Sequence, residues 1–258
     1  MKIISIVNQK GGVGKTTTAS NLSTALSAIS KKVLLIDLDS QGNASSGFGL
    51  LEKDRGNSIY EVLTGNCCIK EAIQNTYIPN LDIIPSNIHL SGLEIEMADQ
   101  YKKELLLREK ISEADISYDY IIIDCPPSLG IITINSLAAS SSVLIPMQCE
   151  FYSLEGLSHL LQTIDIVKGK LNPSLDIEGI LLTMHDKRYK LTEVVEEDVR
   201  NCLGDTVLKT IIPRNVKVSE APSHGKPVLI YDHKSSGAIA YINLAKELLQ
   251  REKESIEV

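Results

Sequence analysis

Two lysines and three glycines fall within one short stretch near the start of the chain, Lys10, Gly11, Gly12, Val13, Gly14, Lys15, Thr16 and Thr17. Apolar Ile3–Val7 precedes it, and amphipathic spacing follows, with Ala19, Leu22, Ala25, Leu26 and Ile29 on one helical face. Strand, glycine loop and helix in that order make a phosphate cradle. Backbone N–H groups of the loop converge on an anion, and the helix adds its positive end. Lys15 then reaches the β- and γ-phosphates of a nucleotide, and the Thr16 hydroxyl ligates Mg²⁺. The standard pattern asks for glycine where this chain has Gln9, and it prescribes nothing at position 10, where a second lysine stands. The loop is a deviant Walker A motif. A glycine-rich turn that merely packs tightly is the plainer reading, and the joint register of strand, glycines, lysines and helix weighs against it.

Such a site needs carboxylates at neighbouring strand ends. Val33–Ile36 runs into Asp37-Leu38-Asp39-Ser40, and Tyr120–Ile123 runs into Asp124-Cys125-Pro126-Pro127. An aspartate after four apolar residues is the Walker B arrangement, so Asp124 holds Mg²⁺ through its bound water. Asp39 orients the attacking water or accepts its proton. Taken singly, each is equally an ordinary carboxylate at a solvated strand end. Pro126 and Pro127 stop the strand and stiffen a loop placed to sense the γ-phosphate.

Apolar runs at Ile3–Val7, Val33–Leu38, Leu81–Pro85, Tyr120–Cys125, Val143–Met147, Ile177–Met184 and Val207–Ile212 position these groups. Several are continuous Ile/Leu/Val stretches, as strands buried on both faces of a parallel sheet read. Helical patterns lie between them near Thr16–Ser30, Leu93–Ser112, Leu154–Lys170, Thr192–Leu203 and Gly237–Arg251. The expected fold is α/β, a doubly wound, mostly parallel sheet flanked by helices, with ligands at the carboxyl ends of the strands. No repeat or linker divides the 258 residues, so residues 1–258 read as a single ATPase domain.

A net charge of −7 argues against a globally basic nucleic-acid binder, though not against a basic patch on one face. No apolar run approaches the roughly 18 residues that span a bilayer. Met1-Lys2 leads straight into the first strand, so no signal peptide is expected and the location reads as cytoplasmic. Cys67, Cys68, Cys125, Cys149 and Cys202 contain no C-x-x-C pair and read as reduced thiols. His89, His159, His185, His224 and His233 show no metal-ligand spacing. The acidic run Glu193, Glu196, Glu197 and Asp198 reads as a solvated helix face.

Four blocks, Lys10 to Thr17, Asp37 to Asn43, Asp124 to Gly130 and Pro213 to Pro227, resemble in order those of the ParA/Soj family of chromosome- and plasmid-partitioning ATPases. The resemblance covers nearly the whole chain. It implies ATP and Mg²⁺ as cofactors and an ATP-dependent homodimer with two nucleotides sandwiched at its interface. It further implies non-specific binding of double-stranded DNA, hence a nucleoid-associated protein, and release when a ParB-like partner stimulates hydrolysis. On the matching positions, Lys10 is the lysine that crosses to the partner's nucleotide, Lys15 the in-cis phosphate lysine, Thr16 the Mg²⁺ ligand and Asp39 the catalytic aspartate. Pro213 and Asn215 match adenine-lining positions, and Arg188 and Lys217 match DNA contacts. Arg188 belongs to the basic run Lys187-Arg188-Tyr189-Lys190. Two departures stand out: Ser40 where relatives usually carry proline, and Lys217 where many carry arginine, a change that keeps charge but loses the planar fork.

Other classes make different demands. A membrane-associated positioning ATPase resembling MinD needs a basic amphipathic tail, whereas Lys246 to Val258 carries Glu247, Glu252, Glu254 and Glu257. An iron–sulfur scaffold of the same superfamily needs paired cysteines. A module that holds nucleotide without turnover is distinguished by single-turnover phosphate release.

Overall fold

Side chains along each apolar strand alternate between two faces, and here both faces are covered. Ile3, Leu34, Ile36, Ile121 and Ile123 enter one core, while Ile4, Ile6, Val33, Leu35 and Ile122 enter the other. The computed structural model describes residues 1–97, 101–150 and 153–256. Its strands are β1 (Lys2–Ile6), β2 (Val33–Asp37), β3 (Gln74–Asn75), β4 (Leu81–Ile84), β5 (Tyr120–Asp124), β6 (Ser142–Gln148), β7 (Asp176–His185) and β8 (Val207–Pro213). They form one sheet in the order β3-β4-β2-β5-β1-β6-β7-β8, in which β3 runs antiparallel to β4 and the other pairs are parallel.

Helix α1 (Lys15–Ala28) and the helix Ser236–Ile256 cover one face through Ala19, Leu22, Tyr241 and Leu244. Helices Leu106–Glu113, Ile131–Ala139, Ser153–Lys170 and Lys190–Leu203 cover the other through Leu107, Leu137, Leu160 and Val199. Each of these leucines, fully buried, contributes about 1.5–3 kcal/mol. At the amino ends of the strands, Lys2 pairs with Glu178 at 2.8 Å and Glu252 at 3.3 Å. Glu247 accepts from the backbone N–H groups of Lys209 at 2.7 Å and Thr210 at 2.8 Å. The helix Ser236–Ile256 is thereby tied to the central strand β1 and to the edge strand β8.

The structure departs from the sequence pattern in three places. The pattern over Leu93–Ser112 is not one helix: Leu93–Glu96 and Leu106–Glu113 are separate, because Lys102 adopts φ 56°, which an α-helix cannot contain. Residues 98–100 of that stretch lie outside the described residues. Helix Ile131–Ala139 follows Gly130 where no helix is expected from periodicity, since its polar residues Thr133, Asn135 and Ser136 are themselves buried and mark no solvent face. Ile29 turns outward, 38% exposed, beyond the end of α1.

Candidate functional site

The carboxyl ends of β2, β5 and β1 lie side by side in the sheet, so the loops that follow them share one crevice. After β1 the chain curls back through Gly12 at φ 75° and Gly14 at φ 89°, left-handed conformations that a side chain resists. Helix α1 then starts with no capping side chain and no acid in its first turn, so its leading N–H groups face the loop. The Thr183 hydroxyl donates to the Val13 carbonyl at 2.8 Å, and the Gln148 amide donates to the Gly12 carbonyl at 3.3 Å. Gln9, the departure from the standard loop, donates to the Gly156 carbonyl at 3.1 Å and ties the loop to the helix Ser153–Lys170. The loop is thus built from beneath by β6, β7 and that helix.

Both lysines are placed, and differently. Lys15 is buried, and its Nζ donates to the Lys10 carbonyl at 3.1 Å. Burial lowers its pKa, while Asp124, Cys125 and Asp39 oppose that shift. Lys10 is half-exposed and its Nζ meets Glu150 at 2.5 Å. Its reach is therefore outward, away from its own loop's floor.

Three aspartates gather beside Lys15. Asp37 and Asp124 are register partners on β2 and β5, both fully buried. Asp37 accepts from the Ser45 N–H at 2.8 Å, the Ser45 hydroxyl at 2.7 Å and the Asp39 N–H at 3.2 Å. Asp124 differs: neither of its oxygens makes a hydrogen bond of good geometry, although the Thr16 hydroxyl stands beside it. Burial, with Asp37 next, pushes its pKa well up, while the Thr16 hydroxyl and Lys15 pull the other way. A buried carboxylate left unpaired, close to a hydroxyl at a helix start, fits a hard divalent cation. Asp39 is nearly buried, and its Oδ1 accepts from the Gln41 N–H at 3.0 Å. With its carbonyl accepting from the Gly42 N–H at 2.8 Å, the turn closes although Ser40 replaces proline.

The pH dependence follows from Asp37. Burial raises its pKa to about 6, so the fold favours the neutral carboxyl. That contribution is complete below the ordinary carboxylate range and is lost as pH rises through about 6. Nucleotide-free protein is expected to lose thermal stability between pH 5 and pH 7, and a flat Tm across that interval would contradict this assignment.

Beside α1 opens a cavity of about 420 Å³ lined by Thr16, Thr17, Asn21, Val218, Ala221 and Pro222 among others. Pro213 and Asn215 are not in that wall. Asn215 instead caps the short helix Val216–Glu220, its Oδ1 accepting from the N–H groups of Lys217 at 2.8 Å and Val218 at 3.3 Å. It fixes Val218, which does line the cavity. Val218, Ala221 and Pro222 carry no signal of their own in a single sequence.

A second cleft, about 730 Å³, follows β7 and β8, and Lys187, Arg188, Lys209, Arg214 and Pro213 line it. Arg188 is 80% exposed and forks onto Asp186 at 2.9 and 2.6 Å, holding that carboxyl down near 2. Lys217 stands outside the cleft lining, paired with Glu220 at 3.0 Å and set over the Tyr231 ring. Of the two expected DNA contacts, the structure brings only Arg188 into this cleft.

A family model described as an AAA domain matches residues 1–177. The sporulation initiation inhibitor protein Soj of Bacillus subtilis is 53% identical over 247 residues, covering 96% of this chain and 98% of its own. The chain belongs to the ParA/Soj family of chromosome-partitioning ATPases. The chromosome partitioning protein ParA of Caulobacter vibrioides is 49% identical over 98% of this chain and 96% of its own. Among solved structures, cobyrinic acid a,c-diamide synthase from Mycobacterium smegmatis, bound to ADP and magnesium, superposes with a TM-score of 0.87 at 34% identity, covering 99% of this chain and 96% of that one. The cell division ATPase MinD of Pyrococcus furiosus gives 0.79 at 29% identity, covering 96% and 98%. The eight-stranded, mostly parallel sheet of this ParA/Soj-family chain is thus shared with nucleotide-binding proteins of several tasks.

Proposed function

We propose that this ParA/Soj-family ATPase is an ATP-controlled DNA clamp for partitioning, acting as a single domain over residues 1–258. Two copies clasp two ATP molecules, the homodimer binds double-stranded DNA without sequence preference, and a ParB-like protein releases it by stimulating hydrolysis. One observation carries the reading. Strand β7 both props the phosphate loop, through Thr183, and leads directly into the basic cleft at Arg188. Nucleotide and DNA surfaces therefore share one rigid element.

In this reading, backbone groups from Gly11 to Thr17 and the Lys15 ammonium hold the phosphates. Thr16 and Asp124 would hold Mg²⁺, which when bound neutralises charge on the phosphates. Asp39 orients the attacking water. Lys10 leaves Glu150 for the nucleotide of the partner subunit, so attraction between subunits arises only with triphosphate present. Asn215 and Pro213 shape the adenine wall indirectly, through Val218 and the end of β8. We favour DNA over a lipid surface because Glu247 and Glu252 engage the helix Ser236–Ile256 with the sheet. A dimer that binds any DNA sequence would reside on the nucleoid.

Each subunit offers only a modest basic cleft on a chain of net charge −7. Pairing two clefts doubles the phosphate contacts and joins them at high effective concentration. The Arg188–Asp186 pair is exposed and worth about 0–1 kcal/mol, so a DNA phosphate displaces it at little cost. The test uses Asp39→Ala protein, in which dimers are expected to persist. Adding Arg188→Ala or Lys217→Ala should leave the dimers intact, weaken DNA binding and make its log–log salt dependence shallower by about 0.9 per lost phosphate contact. Unchanged DNA affinity in both variants would move the DNA surface elsewhere.

A further inference from the structure

Arg55 is buried, 7% exposed, and among the described residues no carboxylate lies within ion-pair distance of it. A buried guanidinium without a counter-ion is costly unless its donors are well used. Here they are used on neutral oxygens. Nη2 donates to the Gly42 carbonyl at 3.2 Å and to the Ser46 hydroxyl at 2.9 Å, Nη1 to the Ser86 carbonyl at 2.9 Å, and Nε to the Leu50 carbonyl at 3.3 Å. Three of these four acceptors belong to the segment that follows Asp39.

The Gly42 contact is the informative one. Its N–H closes the Asp39 turn by donating to the Asp39 carbonyl, and its own carbonyl takes Arg55. Gly42 sits at φ 62°, and a Cβ placed there would come within 2.0 Å of Arg55 Nη1. Guanidinium and turn are therefore fitted to one another with no room for a methyl group. The same short helix Asn43–Gly47 supplies Ser45 to Asp37 and Ser46 to Arg55, so one helical turn is pinned from both sides.

We infer that Arg55 is the positioning residue of the Asp39 turn, holding its carbonyl edge so that the Asp39 carboxylate faces the γ-phosphate. The inference rests on the role proposed above for Asp39. A fork is required, because its donors must reach Gly42, Ser46 and Ser86 together, and a lysine ammonium cannot span them. None of the four hydrogen bonds that Arg55 makes reaches the phosphate loop, so its loss should slow hydrolysis and spare ATP affinity.

The test is single-turnover and steady-state ATP hydrolysis by full-length Arg55→Lys and Arg55→Gln proteins with Mg²⁺. ATP binding and light scattering are measured alongside. We expect kcat about 10- to 100-fold lower in both, with KM for ATP within about threefold and ATP-dependent dimers retained. Arg55→Gln placed on Asp39→Ala should add no further loss, since both act through one carboxylate. Should the Arg55 proteins fail to fold, Ser46→Ala, which removes one acceptor of Arg55, is expected to lower kcat about 3- to 10-fold, with KM read separately because Ser46 also lines the cavity beside α1. Wild-type kcat in Arg55→Lys or in Ser46→Ala, or an additive loss in the double variant, would overturn the role of Arg55. Wild-type hydrolysis by Asp39→Ala alone would overturn the underlying reading instead.

Discussion

Replacing Asp39 by alanine is expected to lower single-turnover ATP hydrolysis on the order of 10²–10⁴-fold while ATP-dependent dimers persist. The carboxylate stands at the strand-end crevice with Lys15, held by the Gln41 N–H, and it makes no contact on which the phosphate loop depends. Removing it leaves the cradle, Asp124 and both lysines in place. Nucleotide binding and subunit pairing therefore continue, and only the orientation of water is lost. Light scattering with ATP and Mg²⁺ checks the first half, and phosphate release checks the second. Hydrolysis near the wild-type rate would pass the role to another group.

The two lysines should separate cleanly. Lys15→Ala is expected to weaken ATP binding about 10- to 100-fold, the worth of one hydrogen-bonded charge. Lys10→Ala should bind ATP within a few-fold of the wild type and yet stay monomeric. In a two-fold dimer each such contact occurs twice, so losing it costs about 3–6 kcal/mol, or 10²–10⁴-fold in dimer dissociation constant. Its ion pair with Glu150 is half-exposed and worth about 0–1 kcal/mol, a small barrier to crossing. Isothermal titration reports the affinities and light scattering the mass. A Lys10→Ala protein that dimerised normally would refute the crossing role.

Strands and strand-end carboxylates were legible because burial on both faces demands unbroken Ile/Leu/Val runs, and because an aspartate after such a run gains a reason when a phosphate loop lies at a nearby strand end. The glycine loop was legible because phosphate chemistry restricts both residue type and spacing. Helix Ile131–Ala139 was not: Thr133, Asn135 and Ser136 are buried along with its apolar residues, so no polar face marks a period. The break near Lys102 was hidden for the opposite reason, since its flanks keep helical spacing while one residue turns left-handed. At the site, Asp37 and Arg55 escaped notice. Asp37 is one of two aspartates side by side, and only its bonds from the Asp39 N–H and from Ser45 show that it braces the turn. A lone arginine in a loop carries no pattern at all, and its four acceptors converge only in three dimensions.

The central position of β1 has a consequence for synthesis. Residues 2–6 leave the ribosome long before the partners on either side, β5 and β6, which span residues 120–124 and 142–148. At about 5–20 residues per second, the first strand waits on the order of ten seconds for its neighbours. Until then Ile3–Val7 is an unpaired sticky segment, and the glycine loop behind it has neither floor nor prop. A nascent or truncated chain therefore holds no partial cradle that grows stronger with length. The ability to grip a phosphate arrives late and in one step, when an early strand is finally enclosed by two much later ones.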